Sequence, residues 1–219
     1  VLREPRIAFK ETITGVAEAE GKHKKQTGGA GQFGVVNIRF EPGAADGVIE
    51  FVDEVVGGAV PRQFIPAVEK GLREAITKGV LAGYPMVNLK CTLFDGKYHP
   101  VDSKEVAFVS SAKLAYEEAC QKARPVILEP IYTYKITVPD TYTGDILGDM
   151  NKRRGRILGM EAVGGRQEIS AEAPLAEMMK YATDLRSMTQ GRGKFETEFA
   201  RYEELPFSEQ EKIIAEAKK

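Results

Sequence analysis

The sequence has no tryptophan, two cysteines and two histidines in 219 residues. Two thiols, Cys91 and Cys120, cannot build a disulfide scaffold, and adding His23 and His99 at these spacings makes no four-ligand zinc site, so no metal is expected. Both cysteines stand at apolar positions without a histidine nearby in sequence, which predicts buried, unreactive thiols in a reducing, cytoplasmic setting. No apolar run approaches the roughly 20 residues that cross a bilayer, so no membrane partner is expected. The first residues, Val1-Leu2-Arg3-Glu4-Pro5, have no apolar signal core and no initiating Met, and they read as the start of a piece of something longer. Net charge of one sign is also missing, with 31 Lys+Arg against 32 Asp+Glu, so there is no overall pull toward nucleic acid. The cations are clustered, however: Lys22, Lys24 and Lys25 flank His23, and Lys152-Arg153-Arg154-Gly155-Arg156 forms a second group. Each cluster reads either as a local phosphate contact or as a solvated face.

What is present is a globular composition, 42% hydrophobic and 29% charged, with length for one or two domains. Arg6 to Thr14 has extended character, and a Gly- and charge-rich stretch follows from Gly15 to Gly34. Val36, Ile38 and Phe40 alternate as in a strand, and Val48 to Val56 reads as another. Pro66 opens a helix with Ile65, Val68, Leu72 and Ile76 on one stripe, and Gly79 is its expected stop. Met86 to Phe94 reads as a strand closed by an Asp95-Gly96 turn. The next helix is expected to begin near Asp102 or Ser103, with Asp102 and Glu105 at capping-box spacing. Its stripe is Val109, Ala112, Tyr116, Ala119 and Ala123, and Arg124-Pro125 ends it.

Beyond that proline the order is strand (131–138), helix (Gly144 to Arg154, with Gly155 as cap), two strands around Gly164-Gly165, a helix from Pro174, and a strand from Phe195 to Tyr202. This βαββαβ order is the ferredoxin-like split motif. The segment from Ser208, with Glu211 at capping-box spacing, predicts a terminal helix.

Gly29-Ala30-Gly31-Gln32-Phe33-Gly34 fits G-x-G-x-x-G, but a β-branched strand follows where a dinucleotide fold needs a helix. No His-Arg-Asp, Asp-Phe-Gly or Walker A lysine accompanies it, so a glycine loop that permits close backbone approach is the better reading. His99, Asp102 and Ser103 hold the letters of a hydrolase triad, yet triad members converge from separate elements, and these sit within five positions. No catalytic residue is assigned.

One string resembles a known family closely: Glu20-Gly21-Lys22-His23-Lys24-Lys25-Gln26-Thr27-Gly28-Gly29-Ala30-Gly31-Gln32-Phe33-Gly34. With Tyr98-His99-Pro100-Val101-Asp102-Ser103, Ile127-Leu128-Glu129-Pro130, Gly144-Asp145-Ile146-Leu147-Gly148-Asp149 and Leu185-Arg186-Ser187-Met188-Thr189-Gln190-Gly191-Arg192-Gly193, it is similar to the C-terminal part of elongation factor G. The resemblance implies domain IV over residues 1–125, a ferredoxin-like domain V over 126–205, and a C-terminal helix over 206–219. The fold class implied is α+β, domain IV carrying a left-handed βαβ crossover. Family members move tRNA and mRNA through the ribosome with an N-terminal GTPase domain, so GTP and Mg belong to a domain outside this sequence, and this piece needs no cofactor. The partners implied are ribosomal RNA and the tRNA–mRNA duplex at the decoding centre, met as a monomer. Gln26, Thr27, Gly28 and Gly29 fall in one tip loop, and His99, Pro100, Val101 and Asp102 in the other. Arg186, Ser187 and Gln190 match positions that touch the sarcin–ricin loop of large-subunit RNA. Ala30 stands where the family often has a basic residue, and Pro100 where it commonly has aspartate. Those departures suit a specialised paralogue or a recycling factor. A tetracycline ribosomal protection protein and a stand-alone RNA-binding module rank behind.

The absence of a phosphate-cradling Gly-x-x-x-x-Gly-Lys-Ser/Thr predicts that this chain binds no guanine nucleotide. Isothermal titration with GTP and GDP checks this; saturable micromolar binding would refute it.

Overall fold

A computed structural model describes residues 6–219; Val1 to Pro5 lie outside the described residues. Two units with separate cores emerge, residues 10–127 with 205–219 in the first, and 128–204 with 6–9 in the second.

The first unit is built on the Val36, Ile38, Phe40 alternation, which lies at the centre of strand β3 (Gln32–Pro42). Its neighbours are β2 (Ala17–Lys25) and β5 (Leu89–Lys97), both antiparallel to it, and β4 (Ile49–Asp53) runs parallel to β5 in the order β2-β3-β5-β4. Helix α1 (Ile65–Ala75) makes the crossover from β4 to β5 that a parallel pair requires. Helix α2 (Glu105–Lys122) follows β5. Val68 and Leu72 of α1 and Phe108, Ala112, Tyr116 and Ala119 of α2 share one core with the inner face of the sheet. Burying each large side chain there contributes about 1.5–3 kcal/mol. Cys91 and Cys120 are fully buried in it, and burial pushes the Cys91 thiol up to about 12.

Strand β2 lies within the Gly- and charge-rich stretch from Gly15 to Gly34, where the sequence pattern showed no strand. Its inward positions are Ala19 and Gly21, whose small size hid the alternation, while Glu18, Glu20, Lys22 and Lys24 are exposed. Gly21 must be glycine: a Cβ there would collide with the Ser111 carbonyl of α2. Asp95-Gly96 is not a turn either. It lies inside β5 at a bulge, where partners shift from Asn37↔Asp95 to Ile38↔Leu93, and a side chain on Gly96 would strike Val35 and Val60. Helix α1 ends at Ala75, before Gly79, whose lack of a Cβ makes room for the buried Glu11 carboxylate. That carboxylate, on β1 (Lys10–Ile13), accepts N–H groups from Leu81 (2.7 Å), Ala82 (3.0 Å) and Tyr84 (2.9 Å). Helix α2 starts at Glu105 rather than at Asp102, and no side chain caps it. The terminal helix α5 (Phe207–Ala217) follows Pro206, also without a side-chain cap, so Ser208 and Glu211 form no capping box. It joins the first unit through buried Gln210, which accepts the Ile127 N–H (3.1 Å) and donates to the Leu205 carbonyl (2.6 Å).

The second unit has the ferredoxin-like order. Strands β6 (Pro125–Pro139), β7 (Arg156–Val163), β8 (Arg166–Pro174) and β9 (Lys194–Glu204) form an antiparallel sheet ordered β9-β6-β8-β7. Helices α3 (Thr143–Lys152) and α4 (Tyr181–Thr189) supply Ile146, Met150, Tyr181 and Leu185 to a core with Ile136, Val138, Ile169 and Ala171. Pro174 closes β8 and opens only a single 3-10 turn (Leu175–Glu177), and α4 begins seven residues after it, at Tyr181. At the end of α3 the left-handed residue is Arg154 (φ 56°), not Gly155. The Gly155 N–H returns to the Met150 carbonyl (2.9 Å), the six-to-one bond of a Schellman turn.

Packing at Gly21 is what seats β2 against α2, so Gly21→Ala should cost more than about 2 kcal/mol, in the range of overpacked backbone contacts. Chemical denaturation of the whole chain checks it; an unchanged midpoint for the first unit's transition would show that the contact gives way freely.

Candidate nucleic-acid interface

Two loops meet at one end of the first unit's sheet. One joins β2 to β3 and holds Gln26, Thr27, Gly28, Gly29 and Gly31; the other joins β5 to α2 and holds His99, Pro100, Val101 and Asp102. Antiparallel pairing runs to Lys25↔Gln32, which makes the first loop a tight hairpin tip. Gly28 (φ 79°) and Gly29 (φ 141°) adopt backbone that side chains disfavour, and both are exposed with open space around them.

Backbone and side chains fasten the loops together. Phe33 N–H donates to the Asp102 carbonyl (2.9 Å), and the Ser103 hydroxyl donates to the Phe33 carbonyl (2.9 Å) while accepting the His99 N–H (2.8 Å). The Gln26 amide donates to the Asp102 carboxylate at 3.3 Å, and that carboxylate fills the space a Cβ on Gly31 would need. At the foot of the hairpin, His23 Nε2 and Gln32 Oε1 are 2.8 Å apart.

His99 is more than an exposed loop residue. Its Nδ1 accepts the N–H groups of Val101 (3.1 Å) and Asp102 (3.0 Å), and its ring lies 6.2 Å from that of Phe33. An Nδ1 lone pair used in this way leaves the ring neutral with its proton on Nε2. The Asp102 carboxylate, 3.7 Å from Nδ1, is therefore a neighbour and not an ion-pair partner. Ser103 is committed to backbone groups, and its hydroxyl faces no imidazole nitrogen in these bonds. Asp102, expected to cap α2, instead stands between the two loops. Val101 is 78% exposed at the tip.

Arg186, Ser187 and Gln190 lie in the second unit, exposed together at the last turn of α4. Gln190 takes a left-handed conformation (φ 53°), as do Asn88, Arg124 and Arg154. Asn88 offsets that strain by accepting the Gly47 N–H (2.7 Å), and Arg154 by bonding Glu129 at both carboxylate oxygens. Among the described residues, the Gln190 side chain has no hydrogen-bond partner, so its amide stays available to a ligand.

In the second basic cluster Arg153 and Arg154 are turned to internal carboxylates, while Lys152 and Arg156 stay exposed. Arg153 holds Asp149 (2.8 Å) and Asp184 (2.6 Å), Arg154 holds buried Glu129 (2.7 Å), and Arg156 reaches Glu172 (3.1 Å). Hydrogen bonds from Arg201, with Arg156 nearby, hold the Glu172 carboxyl below the ordinary glutamate range. Arg153 and Arg154 are thereby committed inside the unit.

A family model for elongation factor G, domain IV, matches residues 5–124, and one for the elongation factor G C-terminus matches residues 126–213. The chain belongs to the elongation factor G family. It is also similar to a crystal structure of ttk003000868 from Thermus thermophilus, at 42% identity and a TM-score of 0.89 over 99% of this chain. The match covers 32% of that protein, so this chain spans about a third of its length. The domain IV match ends at Arg124 and the C-terminal match begins at Val126, whereas the cores divide after Ile127. No helix among the described residues is long and apolar enough to cross a membrane. Phe33 and Ser103 fall inside the two quoted motifs, but a role in joining the loops was not expected of either from sequence.

Neutral His99 with an unprotonated Nδ1 is directly checkable. Long-range ¹H–¹⁵N spectra near neutral pH should show Nε2 protonated and Nδ1 in the unprotonated range. A protonated Nδ1 would leave two backbone donors without their acceptor and would overturn this description of the loop.

Proposed function

We propose that this chain is the ribosome-binding C-terminal part of a translation factor that promotes GTP-driven movement of tRNA and mRNA, working in the cytoplasm as a monomer. The observation that carries this reading is the fastening of two polar loops at one end of domain IV. Their glycine backbone, Gln26 amide and the Nε2–H of His99, which has no partner among the described residues, are held ready before any partner arrives. RNA loops and backbones are recognised by shape, phosphate and 2′-hydroxyl contacts, which such groups can make. Lys22, Lys24 and Lys25 on the adjoining strand add attraction for phosphate. In this reading the tip meets the tRNA–mRNA duplex at the decoding centre, and Arg186, Ser187 and Gln190 meet the sarcin–ricin loop. GTP and Mg are handled by a domain beyond this sequence, and this part supplies contacts rather than bond chemistry. Pro100 favours a second reading, a specialised or recycling paralogue, because it fixes the backbone and removes a charge where the family commonly has aspartate.

Two substitutions in the full-length protein separate contact from loop support. In His99→Asn the amide oxygen can take over as acceptor from Nδ1, but the Nε2–H donor is lost. That variant should therefore keep the melting temperature of domain IV and slow translocation, whereas His99→Ala also loosens the loop. A loss of about 2 kcal/mol in the barrier-crossing state slows the step roughly thirtyfold. GTP hydrolysis should stay near the parental rate. If both variants moved mRNA as fast as the parent on the same ribosomes, the contact role of His99 would be wrong.

A further inference from the structure

Between residues 128 and 204 the second unit carries seven arginines: Arg153, Arg154, Arg156, Arg166, Arg186, Arg192 and Arg201. Four of them are paired with carboxylates, as described above for the 153–156 cluster and, for Arg201, with Glu172 (2.7 Å) and Glu203 (2.6 Å). Arg166, Arg186 and Arg192 are all exposed, and among the described residues none of them has an ion-pair partner. An arginine with no internal carboxylate keeps its full charge and most of its donors for something outside the fold.

These three are not scattered. After α4 the chain doubles back: Gly191 N–H donates to the Arg186 carbonyl (2.9 Å) and Arg192 N–H to the Thr189 carbonyl (3.0 Å). Thr189 locks the bend, donating to the Leu185 carbonyl (2.7 Å) and accepting the Gly193 N–H (2.8 Å). Gly193 is needed there, since a Cβ would press on Thr189 and Leu185 at 2.9–3.0 Å. Arg166 arrives from a different element, the β7–β8 hairpin, and its Nη2 donates to the Arg192 carbonyl (2.8 Å). One N–H therefore anchors the guanidinium to the α4–β9 loop, and the rest of its fork is uncommitted.

We propose that Arg166 and Arg192 extend the face of Arg186, Ser187 and Gln190 into a three-arginine clamp on an RNA phosphodiester backbone. This rests on the reading of that face as RNA-binding. Guanidinium forks match phosphate geometry bidentately, and neutral Ser187 and Gln190 supply hydrogen bonds without a competing charge. A helix C-terminus favours a cation in its last turn, which could account for Arg186 alone. It does not account for Arg166, on a hairpin. The acidic groups near that hairpin are Asp140, whose N–H donates to the Gly165 carbonyl (3.3 Å), and Glu161 and Glu168, opposite each other on its arms, with Glu168 paired to Lys135 (3.1 Å).

The test uses the whole chain and ribosomal large subunits, with binding followed across a salt series. Arg166→Gln and Arg192→Gln should each weaken binding several-fold and reduce the salt slope by about 0.7–0.9, the share of one phosphate contact. Arg186→Gln reports on the face itself, and the melting temperature on the fold. Arg192→Gln keeps the carbonyl that anchors Arg166, so it decides the matter should Arg166→Gln destabilise the unit. If Arg186→Gln weakens binding while the other two do not, the clamp is wrong and the RNA-facing reading survives. If none of the three weakens binding, both fall. Weaker binding with an unchanged salt slope would also overturn the clamp, because the lost contact would not be to phosphate.

Discussion

Everything at the tip of domain IV depends on how closely the backbone of α2 approaches its neighbours. Gly21 of β2, Gly34 of β3 and Gly71 of α1 each lie where a Cβ would press on the backbone of α2, at Ser111, Ala107 and Val109 respectively. Contacts this close leave little freedom for sliding, because relief requires moving a helix rather than turning a side chain. Gly21 and Gly34 belong to the two strands of the first hairpin, and α2 begins two residues after Ser103. Fixing α2 against those strands therefore fixes the second loop against the first. The Phe33–Asp102 and Ser103–Phe33 hydrogen bonds then act over a distance that the core has already set.

The two units handle charge in opposite ways. In domain IV the Lys22–Lys25 group stays at the surface of an edge strand, next to the tip. In the ferredoxin-like unit, Arg153, Arg154, Arg156 and Arg201 are consumed by Asp149, Asp184, Glu129, Glu172 and Glu203. Glu129 is almost fully buried, so removing Arg154 would strand a carboxylate in the protein interior, a far larger cost than loss of a surface pair. That commitment explains why Arg153 and Arg154, which look available in one dimension, are not available in three. It also leaves the unpaired arginines at the end of α4 as the part of this unit open to an anionic partner.

His99 shows how a loop can hold a functional group without a rigid element beneath it. The imidazole closes its own turn by accepting two N–H groups at one ring nitrogen, and the other has no partner among the described residues. Preorganisation of this kind reduces what must be ordered on binding.

The sequence by itself determined the α+β class, the strand periodicity of β3 and β6, both long amphipathic helices of domain IV and the βαββαβ order, because apolar spacing reports directly on which face is buried. Its motifs also placed the chain beside elongation factor G and marked both tip loops. It hid β2, where the inward residues are alanine and glycine, and it misread Asp95-Gly96, since a glycine demanded by close approach looks the same as one demanded by a turn. Asp102 kept the composition of a cap while its actual partner, Gln26, lies 76 residues away in sequence. The tautomer of His99, the internal use of Arg153 and Arg154, and the meeting of Arg166 with Arg192 were decided only by tertiary structure. Each depends on which groups approach across different elements, and one-dimensional spacing carries no record of that distance.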